Sequence, residues 1–309
     1  MKNYISFLAL GAILSLFSGC SNPNSQLIAD APLISQNFVD AYGRPQMLSR
    51  SPERVVSLAA NITEVIYAIG AEKRLAAVSH DSDFPAPANS KPYVITYPSF
   101  DLPSVAGHSP DLVLASTEFH DNRIAEYFDR YKIPLHFQDY KKLKDIFDGI
   151  RTIGRMLSAE TKANHLADSL AAITKSISDS TKGQIQYPTA MILGIDPITV
   201  VGSGSFLNDV IEKAGGKNVF EAFPGKYPTI TPEEFVKLAP EYVLVLSRND
   251  KAWNDLVAVH PEMHTNIPAA EKNHIFQVEP EVLVRPGPRV VEGLKTVTRI
   301  LHPRVSVEL

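Results

Sequence analysis

Ser51-Pro-Glu-Arg-Val-Val-Ser-Leu-Ala-Ala-Asn-Ile-Thr-Glu-Val-Ile-Tyr-Ala-Ile-Gly70 reads as one strand, one turn and one helix. Arg54 to Leu58 has the apolar, β-branched content of a buried strand. Asn61 or Thr63 is suited to cap the helix that follows, Val65, Ile66 and Ile69 share one of its faces, and Gly70 ends it. A strand feeding directly into a helix is the opening unit of a mixed α/β sheet.

The chain on either side repeats that grammar. Asn37 to Tyr42 and Gln46 to Ser49 read as short strands around the turn Gly43-Arg-Pro45. Leu75 to Val78, Asp111 to Ala115 and Pro134 to Phe137 read as further strands, with a helix over Arg123 to Tyr131. The period then changes. Leu143, Ile146, Phe147, Ile150, Ile153, Met156 and Leu157 recur at helical spacing. Ser158 offers a cap, and a second helix with the stripe Ala163, Leu166, Ala167, Leu170, Ile173 and Ile177 runs on to about Ser178, roughly 30 Å at 1.5 Å per residue.

A second α/β series follows. Strands are expected at Thr189 to Leu193, Tyr242 to Leu246 and His274 to Val278, with helices over Phe206 to Ala214 and Pro288 to Leu301. Ser109-Pro-Asp-Leu-Val-Leu-Ala-Ser116 and Ala239-Pro-Glu-Tyr-Val-Leu-Val-Leu246 share one pattern, and helices ending in Gly70-Ala-Glu-Lys and Gly215-Gly-Lys stand before them in the same order. Two ordered echoes imply two similar α/β lobes. The expected fold is therefore α/β, two Rossmann-like lobes bridged by one long α-helix, with limited hinge motion between them. The expected boundaries are a leader over 1–20, a tether over 21–36, a first lobe over 37–157, a bridging helix over 158–182 and a second lobe over 183–309.

The leader is legible from its three parts. Lys2 is followed by the mostly apolar run Ile5 to Phe17, too short for the about 20 residues of a membrane span, and then by Phe17-Ser-Gly-Cys20. Cys20 is the only cysteine of the chain and stands as a lipobox cysteine does, although Phe17 replaces the usual aliphatic residue. Acylation at Cys20 would leave the body outside the cytoplasm, anchored to a membrane. A net charge of −4 with no basic block argues against a nucleic-acid partner. Gly202-Ser-Gly204 lacks the Lys-Ser/Thr of a phosphate loop, no Gly-x-Ser-x-Gly elbow is present, and the paired histidines of His260-Pro-Glu-Met-His264 do not form a zincin motif. No catalytic residues, resident cofactor or metal ligands are expected.

From about Asn37 to His302 the chain resembles the substrate-binding proteins of cobalamin, haem and iron-siderophore ABC importers, the helical-backbone class (class III periplasmic binding proteins). The resemblance lies in Ser51-Pro-Glu-Arg-Val-Val-Ser-Leu, Asn61-Ile-Thr-Glu-Val-Ile-Tyr-Ala-Ile-Gly, Ser82-Asp-Phe-Pro, Ser109-Pro-Asp-Leu-Val-Leu-Ala, Gly204-Ser-Phe-Leu-Asn-Asp-Val-Ile, Ala214-Gly-Gly-Lys-Asn-Val-Phe and Arg285-Pro-Gly-Pro-Arg-Val-Val-Glu-Gly-Leu, in that order. Within the class it is most similar to the vitamin B12 binders, through Ser82-Asp-Phe-Pro and Arg285-Pro-Gly-Pro-Arg.

The resemblance implies a monomeric receptor, not an enzyme, that grips cobalamin or a related corrinoid between its lobes. It would hand the ligand to a permease driven by its ATPase; haem or a ferric siderophore is the alternative. It places Tyr97, Phe100 and Tyr227 as aromatic walls, and Asp81, Glu281 and Arg285 as polar partners of the ligand rim. Flat aromatic faces suit a broad apolar disc, and hydrogen-bonding groups suit its amides. No Tyr, Trp or Phe stands at the aromatic position expected near His80 or Asp81. Glu233, after Thr231-Pro232, takes the place of the permease-docking acid. The matching place in the first lobe holds Pro103, with Asp101 and Ser104 beside it.

Overall fold

The computed structural model describes residues 33–96, 101–118 and 122–305. The first described element is an antiparallel hairpin of β1 (Leu33–Val39) and β2 (Pro45–Arg50). β1 therefore begins inside the stretch expected as tether. The first lobe follows: β3 (Val55–Ser57), α1 (Ala60–Ala68), β4 (Leu75–Ser79), β5 (Tyr93–Val94), α2 (Leu102–Gly107), β6 (Leu112–Ser116), α3 (Ala125–Arg130) and β7 (Leu135–Gln138). Two helices come next, α4 (Leu143–Met156) and α5 (Glu160–Thr181). The second lobe holds β8 (Tyr187–Ile195), β9 (Ile198–Val200), α6 (Phe206–Lys213), β10 (Gly216–Asn218), α7 (Pro232–Leu238), β11 (Tyr242–Leu246), α8 (Ala252–Val259), α9 (Glu262–Thr265), α10 (Pro268–Glu271), β12 (Ile275–Val278), α11 (Glu281–Val284) and α12 (Val290–Leu301).

Each lobe is built on a parallel sheet, and the two orders match over four strands, β5 being an extra edge strand of the first. The first runs β5-β4-β3-β6-β7 and the second β10-β8-β11-β12, with β9 folded back antiparallel on β8. The repeat extends to register. Leu112 pairs with Val55 and Val113 with Leu135; in the second lobe Tyr242 pairs with Thr189 and Val243 with Ile275. The turn before these strands is also built twice, with Ser109 (φ 48°) and Ala239 (φ 45°) both left-handed directly before a proline. The paired Ser109-Pro and Ala239-Pro phrases thus mark one structural position in two lobes.

The buried apolar residues among those described sort into three clusters. One lies on the outer face of the first sheet around Val56, Val113 and Phe128, and one on the outer face of the second around Ile192, Phe235 and Val245. The third is continuous from Ile62 and Leu114 of the first lobe, through Ile146, Ile150 and Leu170, to Met191, Phe206 and Leu294 of the second. The long α5 is therefore not an isolated strut. α4, α6 and α12 pack with it into a junction that joins the lobes through apolar contact. The stripes read from sequence are what this junction buries: Leu143, Ile146, Phe147, Ile150, Ile153, Met156 and Leu157 are each at most 5% exposed.

Two expected caps take other roles. α1 starts at Ala60 after an extended Ala59 with no side-chain cap, so Asn61 and Thr63 lie inside the helix, both fully buried. Ser158 adopts φ 51° in the tight α4–α5 turn and does not cap α5, whose first flanking residue is Ala159.

That turn places α4 and α5 in backbone contact. A Cβ built on Gly154 would lie 2.2 Å from the Ala163 Cβ, with no flexible atom to move aside. Gly154→Ala is therefore expected to destabilise the protein by about 2 kcal/mol net, overpacking outweighing the gain in helix propensity. Gly107→Ala, with nothing among the described residues within 4 Å of its Cβ position, is expected to cost nothing. Urea unfolding of the two variants separates crowding at the crossing from a general effect of removing glycine.

Candidate functional site

In both lobes the parallel strands point their carboxyl ends at the same gap, the usual place for a ligand in open α/β sheets. The first lobe presents the turns after β3, β4, β6 and β7. The second presents the loop 219–227 after β10 and the turns after β11 and β12. Side chains from these turns meet across the gap in two clusters.

The first cluster is organised by α1, whose buried face is partly polar. Thr63 Oγ1 donates to Ser57 Oγ (2.9 Å) and lies 2.9 Å from Ser82 Oγ, which lies 2.9 Å from Ser79 Oγ. This hydroxyl chain pins the loop after β4 and so positions Asp81, Asp83 and Phe84. At the next position of α1, the Glu64 carboxylate is almost wholly buried. Arg289 binds it in a fork, Nε to Oε2 at 2.9 Å and Nη2 to Oε1 at 2.6 Å, and Arg285 Nη1 approaches Oε1 at 3.4 Å. Bidentate charge-assisted bonds of this kind are the strong ones. Arg285 also donates to the Asp83 carboxylate and, at 3.1 Å, to the Asp81 carbonyl. The Arg285 bond holds the Asp83 carboxyl below the usual carboxylate range. The Arg289 guanidinium lies 4.1 Å from the centre of the half-exposed Phe84 ring.

The second cluster joins loop 219–227 to the turns after β6 and β7. Lys226 Nζ donates to Glu118 and, at 2.6 Å, to Asp139 Oδ1; Tyr227 Oη donates to Glu118 Oε2 at 3.0 Å and accepts from Ser205 Oγ at 3.3 Å. Burial works against both charges, yet the mutual bonds raise the Lys226 pKa and, with Thr117, lower that of Asp139. Burial, with Glu118 beside it, pushes the Tyr227 phenol well up, so it stays a protonated donor. Asn61 links the clusters, its Nδ2 donating to the Pro286 carbonyl at 3.1 Å and to Tyr140 Oη at 3.2 Å. Its buried Oδ1 has no donor among the described residues.

The structure brings four of the residues singled out from sequence to this gap. Arg285 spans it. Tyr227 is half-buried, with its hydroxyl engaged across it. Asp81 contributes a backbone carbonyl while its side chain is exposed. Glu281 pairs with Arg248, which also comes within 4.0 Å of Asp83. Burial tends to raise the Glu281 pKa, but neighbouring Glu279 and Arg248 bring it down, and the Glu279 pKa rises in turn. Tyr97, Phe100 and Cys20 lie outside the described residues.

Glu233 sits exposed in the first turn of α7, away from both clusters, beside the capping box of Thr231 and Glu234. The backbone donors of that turn hold its carboxyl below the usual range. In the first lobe Asp101 caps α2 by accepting from Ser104 N at 3.1 Å, with Pro103 between them. The residues missed from sequence are Glu64, Asp83, Glu118, Asp139, Lys226 and Arg289. Only Glu64 carried a local signal, an acid in a helix whose neighbours Val65 and Ile66 are core.

The family model described as periplasmic binding protein matches residues 55–282, spanning both sheets. The chain belongs to that family. Periplasmic binding proteins are the solute-capturing, non-catalytic partners of ABC importers, which implies a permease and its ATPase, and the family works outside the cytoplasm. The vitamin B12-binding protein of Vibrio parahaemolyticus is 27% identical over 252 residues, 80% of this chain and 89% of that one. The uncharacterized ABC transporter substrate-binding lipoprotein YvrC of Bacillus subtilis is 25% identical over 316 residues, 96% of this chain and 95% of that one. The crystal structure of a periplasmic heme binding protein from Pseudomonas aeruginosa superposes with a TM-score of 0.74 at 20% identity, covering 82% of this chain and 94% of that one. The two-lobed class III fold is thus shared. Among the described residues, no helix is long and apolar enough to cross a membrane.

Proposed function

We propose that this binding protein captures cobalamin or a related corrinoid in the gap between its lobes and delivers it to its permease. The charge balance of the gap carries the reading. Among the described groups paired across it, the four bases Arg248, Arg285, Arg289 and Lys226 face the four acids Glu64, Asp83, Glu118 and Asp139. No surplus positive charge awaits a trianionic siderophore or the propionates of haem. A corrinoid rimmed with neutral amides suits the matched set, because amide N–H groups satisfy carboxylates and amide carbonyls satisfy guanidinium groups. The unpaired Asn61 Oδ1 is one more acceptor for an amide donor. Tyr227, held protonated, is a poor axial phenolate for haem iron but a good donor to an amide.

On this reading Tyr227, with Tyr97 and Phe100, provides aromatic wall, while Asp81, Glu281 and Arg285 serve the rim. Glu233, exposed on α7, meets the permease. Cys20 carries the lipid that anchors a monomeric receptor, with the residues before β1 as tether.

Isothermal titration calorimetry tests the ligand. Cyanocobalamin is expected to bind one-to-one, with no heat from haemin or a ferric trihydroxamate. Heat from haemin and none from cyanocobalamin would transfer the assignment to haem.

A further inference from the structure

The bonds that close the gap are made by the protein with itself, and one residue makes most of those in the second cluster. Lys226 reaches from a second-lobe loop to two carboxylates of the first lobe, separated from it by 108 and 87 residues in sequence. Its side chain is 24% exposed, Glu118 is 4% exposed and Asp139 26%, so the three groups fill the space between the turns. A broad guest cannot stand between these turns while an ammonium and a carboxylate touch across them.

We propose that Lys226 is a displaceable latch that also sets specificity. Its ammonium holds the empty lobes together, and a guest enters by exchanging the Lys226 bonds to Glu118 and Asp139 for its own hydrogen-bond donors. Guests with amide or ammonium rims complete that exchange. Anionic guests leave two carboxylates facing like charge and are rejected. The latch also lowers apparent affinity, because part of the population is held in a form without room for the guest. This inference rests on the guest entering between the lobes, as in the proposed function.

Lys226→Met keeps most of the length of the side chain and removes its charge. Calorimetry with cyanocobalamin is expected to show about tenfold tighter binding to this variant than to wild type. Raising sodium chloride from 0.05 to 0.5 M screens the ion pairs, so wild-type affinity should rise while that of Lys226→Met stays flat. Lys144→Met, which removes an exposed ion pair with Asp148 on α4, is expected to behave as wild type in both respects. Unchanged or weaker cyanocobalamin binding by Lys226→Met would overturn the latch.

A second arm needs no ligand, so the latch can be judged even if wild type binds no corrinoid and the proposed function fails. Hydrogen exchange of the empty protein should speed up in Lys226→Met at 117–118 and 139–143, and also at 285–289 in the other cluster, as the lobes part together. Faster exchange confined to the neighbours of residue 226 would contradict a latch between lobes.

Discussion

Glu64→Ala is expected to destabilise the protein by about 3–5 kcal/mol, because it strips the shared partner from two arginines at once. The Glu64 side chain is 2% exposed, and those of Arg285 and Arg289 are 11% and 23% exposed. Water can therefore replace the lost carboxylate only in part. Arg285 keeps Asp83, but Arg289 has no other carboxylate within ion-pair reach among the described residues. Glu64→Gln should cost less, since an amide oxygen still accepts one guanidinium bond. A double-mutant cycle of Glu64→Ala with Arg289→Met, read by urea unfolding, isolates the pair, and a strongly positive coupling is expected. Additive single effects would mean that the fork contributes no pairwise stability and that the buried cluster is held by packing alone.

The second large effect concerns pH and arises far from the gap. His136 in β7 is 3% exposed, and its Nδ1 has no partner among the described residues. Burial pulls its pKa down to about 4, with Asp40 opposing that shift and Arg44 and Arg155 adding to it. A histidine with a depressed folded pKa binds fewer protons folded than unfolded. Its stabilising contribution is full above the unfolded value near 6.5 and is lost as pH falls to about 4. The difference corresponds to about 3 kcal/mol over that window.

The lowered carboxylates Asp83 and Asp139 act further down. Their contributions are present above the unfolded carboxylate pKa and fade only as pH drops through their still lower folded values. Urea midpoints from pH 7 to pH 4 should therefore fall in wild type and stay nearly level in His136→Met. Parallel profiles would remove His136 as the cause.

Much of the fold was legible because its signals are local. α4 declares itself through seven apolar residues at helical spacing, and the duplicated lobes through Ser109-Pro and Ala239-Pro, because one turn geometry recurs at one register in both sheets. The caps were misread for a physical reason. Asn61, Thr63 and Ser158 have capping chemistry, but the first two were needed for buried bonds to Tyr140, Pro286 and the Ser57–Ser82 hydroxyls, and the third for a tight turn. The gap was only half legible. Arg285 and Tyr227 stand in phrases shared with the family, whereas Glu118, Asp139 and Lys226 are ordinary loop charges until folding brings segments about a hundred residues apart into contact. Phe84 lies inside the quoted Ser82-Asp-Phe-Pro phrase, yet its pairing with Arg289 depends on where α12 begins.

The most direct test of a guest held between the lobes is hydrogen exchange with and without saturating cyanocobalamin. Protection is expected on both sides of the gap together, at 79–84, 117–118 and 139–143 in the first lobe and at 223–228 and 281–289 in the second. Protection of one lobe alone, or of neither while calorimetry reports binding, would contradict capture between the carboxyl ends of the two sheets.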